Sequence, residues 1–329
     1  MPKFDIKKLS AAIRGHFRYR PVFAGVLTIA LAAVLAIIIR SEIRTADAKP
    51  QAATSSHPIE PVLSPALRVS VERNPEREAF FGETHIHTSW SFDAYIYGNT
   101  KAGPEDAYKF ALGQTITHPG GYPIKITRPL DFMAVTDHAE YVGVIPMAND
   151  PSSSLSKQPI AEHLKVGSKE DMQRVYMFLG SSMLKGEPIK ELVSPEVAGN
   201  VWKQVIAIAD KYYQPGKFTT FAAYEWTSTP NNRNMHRNII FKDSKKVPEV
   251  PFSALDSDHP EDLWNWMNTQ RKAGNELLAI SHNANLSDGI MFPLEVDNKG
   301  RPIDAAWAQE RVNNEPLTEI HQLKGTSET

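Results

Sequence analysis

Apolar residues are distributed along this chain in three ways. Residues 21–39 form one unbroken run of 19 uncharged positions in which only Thr28 is polar, about the span of a hydrocarbon core. Residues 46–75 are polar and rich in Pro, Ala and Ser, with Pro50, Pro58, Pro61 and Pro65 closely spaced. Such a stretch cannot bury enough apolar surface to fold and predicts a flexible linker. From residue 76 onward, short apolar runs of strand length alternate with segments of helical period.

Period and punctuation place the elements of that last part. Strand-like runs fall at residues 79–87, 130–137, 218–227, 237–241, 277–281 and 318–323. Between the first two, Pro104 opens a helix and Gly113 closes it, proline being tolerated at the first helical position and glycine just past the last. The excursion over 139–215 begins with a Ser-rich loop at 151–156 and is expected to hold two helices. The second starts at Ser194-Pro195, a cap followed by proline. Val197, Val201, Val205, Ile208 and Tyr212 then recur at helical spacing until Gly216. Another helix runs from Asp258-His259-Pro260 to Gly274, with Leu263, Trp264 and Met267 facing inward. Strands alternating with helices predict an α/β fold with a largely parallel sheet, open or closed into a barrel.

Charge gives the apolar run a direction. Lys3, Lys7, Lys8, Arg14, Arg18 and Arg20 precede it against the single acid Asp5, a bias that holds the N-terminus in the cytoplasm and sends the rest outward. Ala46-Asp47-Ala48 resembles a small-residue cleavage site, but the apolar run is longer than a usual signal peptide core. We read it as a retained anchor, with cleavage as the alternative. The expected organisation is therefore a basic leader (1–20), a transmembrane or signal-anchor helix (21–39), a linker (40–75) and one domain (76–329). That domain sits at the cell membrane on its periplasmic or extracellular side. The formal net charge of −2 is made of interspersed signs without a basic stripe, so no nucleic-acid partner is expected. There are no cysteines, so disulfides and thiolate ligands are excluded and a metal would sit on nitrogen and oxygen.

The candidate chemistry lies where the strands end. His85 and His87 close the first strand on one face, because side chains alternate along an extended chain. Two imidazoles side by side are half of a transition-metal site, and Asp93 follows six residues later. Asp137 and His138 close the second strand, Glu225 the third, and His282 the strand at 277–281. Functional residues of parallel α/β folds gather at the carboxyl ends of strands. His236 precedes its strand instead; if 218–227 and 237–241 pair as a hairpin, it lies beside Glu225. Arg233 and Arg237 flank the same loop and could hold an anionic group, Arg by a bidentate fork.

These residues carry a resemblance. The His-x-His pair, Thr-Asp-His, the later Glu and Ser-His resemble the PHP phosphoesterases. The runs FFGETHIHTSWSFDA, LDFMAVTDHAEY, FAAYEWTS, HRNIIF, SHNANLSDG and EIHQLKGTSE are similar, more closely, to a PHP-like family catalogued as domain-of-unknown-function family 3604. The resemblance covers about residue 79 to the end of the chain. It implies a distorted seven-stranded β/α barrel holding two or three divalent metals. His85, His87, Asp93, His138, Glu225, His236 and His282 would be the ligands, with Glu225 bridging. Asp93 stands where many relatives have histidine, a change that oxygen-tolerant Zn, Mn or Fe accepts. PHP barrels finish with a strand carrying Asp-x-His, and no such pair follows His282. The barrel is therefore expected to be truncated before its last strand.

The expected function is that of a metal-dependent hydrolase, acting on a small-molecule ester, most simply a phosphoester, through a metal-activated hydroxide. Asp137 would move a proton or orient a ligand. The competing expectation is a membrane-tethered binding or structural protein whose metal site is incomplete and inactive.

Overall fold

A computed structural model describes residues 79–328; the leader, the apolar run and the linker lie outside the described residues. No helix among the described residues is long and apolar enough to cross a membrane.

Strand β1 is short, Gly82–Glu83; β2, Ile116–Thr117, and β3, Pro123–Ile124, form a separate hairpin, and β1 pairs in parallel with β4, Phe132–Ala134. Gly82 is required there: a Cβ would lie 2.3 Å from the Phe132 ring and 2.4 Å from its carbonyl oxygen. Beyond both strands the pairing persists, with Thr136 N–H donating to Ile86 O at 2.9 Å and Ile86 N–H to Thr136 Oγ1 at 3.0 Å. The expected strand at 218–227 is two: β5, Thr219–Phe221, and β6, Ala223–Trp226. The break lets one segment change partners. β5 joins β4 in parallel, and β6 pairs antiparallel with β7, Arg237–Phe241. β7 is antiparallel to β8, Leu277–Ser281, which is parallel to β9, Leu317–Thr318. The run expected at 318–323 is thus also divided, its later part pairing as a small hairpin of His321–Gln322 with Gly325–Thr326.

The two sheets, β1-β4-β5 and β6-β7-β8-β9, meet through a bridge between His138 and Glu225. Ala139 N–H donates to Glu225 O at 2.8 Å, and Glu225 N–H to Asp137 O at 3.0 Å. Among the described residues the strands close no barrel. The series still bends far enough that Asn238 Nδ2, on β7, donates to Thr84 O, just past β1, at 3.1 Å. The result is a mixed α/β fold, with antiparallel pairs where a parallel sheet was expected. A short connection explains the first of them: ten residues join β6 to β7, too few for a crossover helix.

Helices surround this frame. The short α1, Phe92–Ile96, follows the His-x-His segment, and α2, Pro104–Ala111, starts at the anticipated proline. The 139–215 excursion holds α3, Val144–Asn149, α4, Lys169–Lys185, and α5, Asn200–Tyr212. Ser194 caps the turn of Pro195–Gly199 that leads into α5 by accepting from Val197 N–H. Trp202 and Val205 of α5 pack with Tyr224, Phe241 and Trp264 in the largest core cluster. α6, Pro260–Lys272, covers β8, and α7, Ala305–Asn314, leads into β9.

Arg237 does not reach the candidate site. Alternation along β7 points Asn238 toward Thr84 and Arg237 to the opposite face. There its Nε donates to Glu315 Oε1 at 2.8 Å, with both side chains 1% exposed. Trp264 Nε1 donates to the same oxygen at 2.8 Å, and Arg311 lies 3.2 Å from Glu315 Oε2. A guanidinium so enclosed is a core cation and cannot bind substrate, which corrects the sequence-based assignment. Breaking a buried pair strands its partner, so Glu315→Ala is expected to cost about 3–5 kcal/mol of unfolding free energy. Urea denaturation followed by tryptophan fluorescence checks this; an unchanged midpoint would show that the pair is not stabilising.

Candidate metal centre

Four segments deliver seven polar side chains to one place. The extended segment after β1 brings His85 and His87, and the first turn of α1 brings Asp93. The end of the β4 segment brings His138, β6 brings Glu225, and the hairpin to β7 brings His236. His282 follows β8 directly, its N–H reaching His236 O at 3.3 Å. Glu225 is the hub. Its carboxylate lies 3.4 Å from His85 Nε2, 2.8 Å from His87 Nε2, 3.6 Å from His138 Nδ1, 2.7 Å from His236 Nδ1 and 3.1 Å from His282 Nε2. Asp93 lies 3.4 Å from His87 Nδ1 and 3.2 Å from His138 Nε2.

Several rings are held from outside. His87 Nδ1 lies 2.8 Å from Ser91 Oγ, and His138 Nδ1 meets Thr227 Oγ1. Phe92 stacks on His138 at 4.8 Å. His85 Nδ1 lies 2.7 Å from Glu319 Oε2. Glu319, just beyond β9, was not recognised from sequence. The available signal was its position at the end of another strand-like run, where a carboxylate would occupy the side of the cluster that lacked an Asp-x-His. Solvent reaches the cluster at Asp93 and Glu319, whose side chains are 25% and 24% exposed.

Asp137 has a different setting from the histidines. Its Oδ1 accepts from Thr88 N–H at 2.5 Å and its Oδ2 from Thr88 Oγ1 at 2.7 Å. Burial pushes its carboxyl up to about 6, against the pull of the Thr88 hydrogen bonds. Both oxygens are thus engaged by Thr88, directly after His87. Arg233 lies half-buried on the 228–235 loop, its Nε donating to Pro230 O at 3.2 Å. Asn231 and Asn232 beside it adopt positive φ of 53° and 61°, a conformation asparagine tolerates.

The electrostatics are those of acids and imidazoles that hold one another's charge. Burial opposes charge on Glu225, yet its carboxyl is held well below the usual carboxylate range by the surrounding histidines, His138 and His282 foremost. Asp93 is likewise lowered despite its burial, by His138 and His87. His85 is pushed up to about 9, because hydrogen bonds to Glu225 and Glu319 outweigh its burial. His87 rises to about 10 in the same way, through Glu225 and Asp93. For His236, burial wins and lowers the ring to about 4.

A metal fits this donor set. Despite the short distances, Glu225 Oε2, both ring nitrogens of His236 and His282 Nδ1 are buried without an aligned hydrogen-bond partner. Buried polar atoms are normally satisfied, so polar atoms that converge without an aligned hydrogen bond suit a cation between them. Four groups offer donor atoms within 4.8 Å of one another: His85, His87 and Glu225; His85, His282 and Glu319; His87, Asp93 and His138; and Glu225, His236 and His282. All are nitrogen and carboxylate sets, the donors of zinc, manganese and iron sites.

Fold and site together define a mixed α/β protein with a buried histidine–carboxylate cluster. The chain belongs to the family described as "Protein of unknown function (DUF3604)", whose family model matches residues 74–329. No curated protein and no solved structure matches it.

Proposed function

We propose that this protein is a metal-dependent hydrolase of small-molecule esters, phosphoesters first among them, built on a PHP-like frame. The strand series from β1 to β9 would be an opened form of that barrel. One observation carries the reading: Glu225 stands 1% exposed within reach of five imidazoles, an arrangement too costly to bury for packing alone. Two or three divalent ions held by His85, His87, Asp93, His138, Glu225, His236 and His282 would supply Lewis acidity and activate water. Glu225 joins the two sides of the cluster, and Glu319 fixes or completes the His85 side. Asp137 keeps the His-x-His segment in register through Thr88. Arg233, three residues before His236 on the same loop, is the candidate to hold the substrate's anionic group, as one charge-assisted contact.

The sequence of residues 1–39 supports placing this domain outside the cytoplasmic membrane as a tethered enzyme. Elemental analysis of the full chain, purified without chelators, is expected to find one or more Mn, Fe or Zn ions per chain. Metal-dependent turnover of a chromogenic phosphodiester should accompany them. A well-folded chain free of metal sinks the proposal. Bound metal without turnover of phosphate, sulfate or carboxylate esters favours the binding-protein reading.

A further inference from the structure

One buried carboxylate beside the cluster has no part in the scheme above. Glu140, two residues after His138, is 0% exposed. Its Oε1 accepts from Thr227 N–H at 3.1 Å and from Ala254 N–H at 2.7 Å. Neither donor lies in a named strand: Thr227 is just past β6, and Ala254 belongs to the irregular stretch between β7 and α6. Glu140 therefore replaces the ladder where the ladder stops. Buried N–H groups require such a partner.

Thr227 lies two residues beyond Glu225, on the same face of the extended chain, and its hydroxyl meets His138 Nδ1. The other nitrogen, His138 Nε2, is 3.2 Å from Asp93 Oδ2. An imidazole binds a metal through one nitrogen, and the hydrogen bond at the other decides which. With Nδ1–H donating to Thr227 Oγ1, the lone pair falls on Nε2, toward Asp93 and the His87 ring, whose centroid is 4.5 Å away.

We propose that Glu140 and Thr227 are positioning residues for a metal ion held through His138 Nε2. Glu140 fixes the Thr227 backbone, and the Thr227 hydroxyl fixes the tautomer and tilt of His138. This rests on the metal reading of the centre. Unlike Asp137, which secures the His87 side through Thr88, Glu140 secures the junction of the two sheets at the His138–Glu225 bridge.

The test is a Zn²⁺ titration of the full chain against a chromophoric chelator, together with ¹⁵N ring spectra of the metal-free chain. Thr227→Val keeps the shape and removes the hydroxyl. It is expected to weaken one Zn²⁺ by about 10–100-fold, the usual cost of losing an outer partner, and to leave the others as in wild type. Thr227→Ser should stay within about three-fold of wild type, since the hydroxyl remains. In the spectra, wild-type His138 should be the Nδ1–H tautomer, and the Thr227→Val ring should lose that preference. Glu140→Leu should weaken the same Zn²⁺, and its loss should not add to that of Thr227→Val, because the two act in one chain. If Glu140→Leu does not fold, Glu140→Gln, which keeps an acceptor oxygen, should still bind as wild type. Wild-type Zn²⁺ affinity and an unchanged tautomer in Thr227→Val overturn the proposal; additive losses overturn the part assigned to Glu140. If wild type binds no Zn²⁺ at all, the metal reading fails. The ring spectra then still report on the Thr227–His138 contact.

Discussion

Glu225→Gln is expected to strip the centre of metal while leaving the fold in place. The substitution conserves size and both heavy-atom positions of the carboxylate but removes the charge that faces His85, His87, His138, His236 and His282. Loss of an outer partner costs metal affinity about 10–100-fold, so loss of the hub should exceed about 100-fold. Hydrolysis of a phosphodiester should fall to the background rate. The backbone bonds that carry Glu225, Ala139 N–H to its carbonyl and its own N–H to Asp137 O, do not involve the side chain. Far-UV circular dichroism should therefore match wild type. Arg233→Ala, by contrast, should weaken apparent substrate affinity by at most about ten-fold, as a contact worth about 0.5–1.5 kcal/mol does. Wild-type metal content and turnover in Glu225→Gln would show that the reaction does not take place at this cluster.

Metal uptake is expected to release protons and to strengthen steeply with rising pH. His85 near 9 and His87 near 10 carry protons at neutrality, and a ring must give up its proton to become a ligand. Titrating Zn²⁺ into a weakly buffered solution of the metal-free chain should acidify it. Affinity should rise between about pH 6 and about pH 8. A pH-independent affinity across that range would contradict the assigned charges.

The stability of the metal-free chain has its own sign. The raised His85 and His87 stabilise the fold fully below their ordinary value of 6.5, and this is lost as pH rises through 9 and 10. His236, lowered to about 4, and His282, lowered by its burial, act oppositely. Both stay neutral in the fold, so acid below 6.5 favours the unfolded chain. The lowered Asp93, Glu225 and Glu319 add to the loss in acid as pH falls through the carboxylate range. The metal-free melting temperature should therefore peak near 6.5, and added Zn²⁺ should move the peak upward.

How much of this was legible beforehand differs from element to element. The strands at 237–241 and 277–281 and the helices opening at Pro104 and Pro260 stand where apolar pattern and proline put them. Local rules governed them. The run at 218–227 looked continuous, and nothing local announces the switch at Ala222 that divides it between partners. α1 and α7 carried too little apolar period to be noticed, having five and ten residues. The hairpin of Ile116–Thr117 with Pro123–Ile124 was missed for the same reason.

By itself, the sequence determined which side chains stand at strand ends. That followed from alternation and from turn residues, both of which are short-range. His85, His87, His138, Glu225 and His282 follow on that basis, Asp93 from its spacing after the His-x-His pair, and His236 from the expected hairpin. Only the tertiary structure decided which of them face one another and which neighbours hold them. Arg237 and His236 are adjacent in sequence, yet one is sealed against Glu315 and the other lies on Glu225. The strand's alternation separates them, and no composition reveals which face is inward. Glu319, Thr227 and Glu140 act across separations of 234, 89 and 87 or more positions. Such contacts exist only once the two sheets have met at His138 and Glu225, because their free energy depends on burial that no single segment supplies.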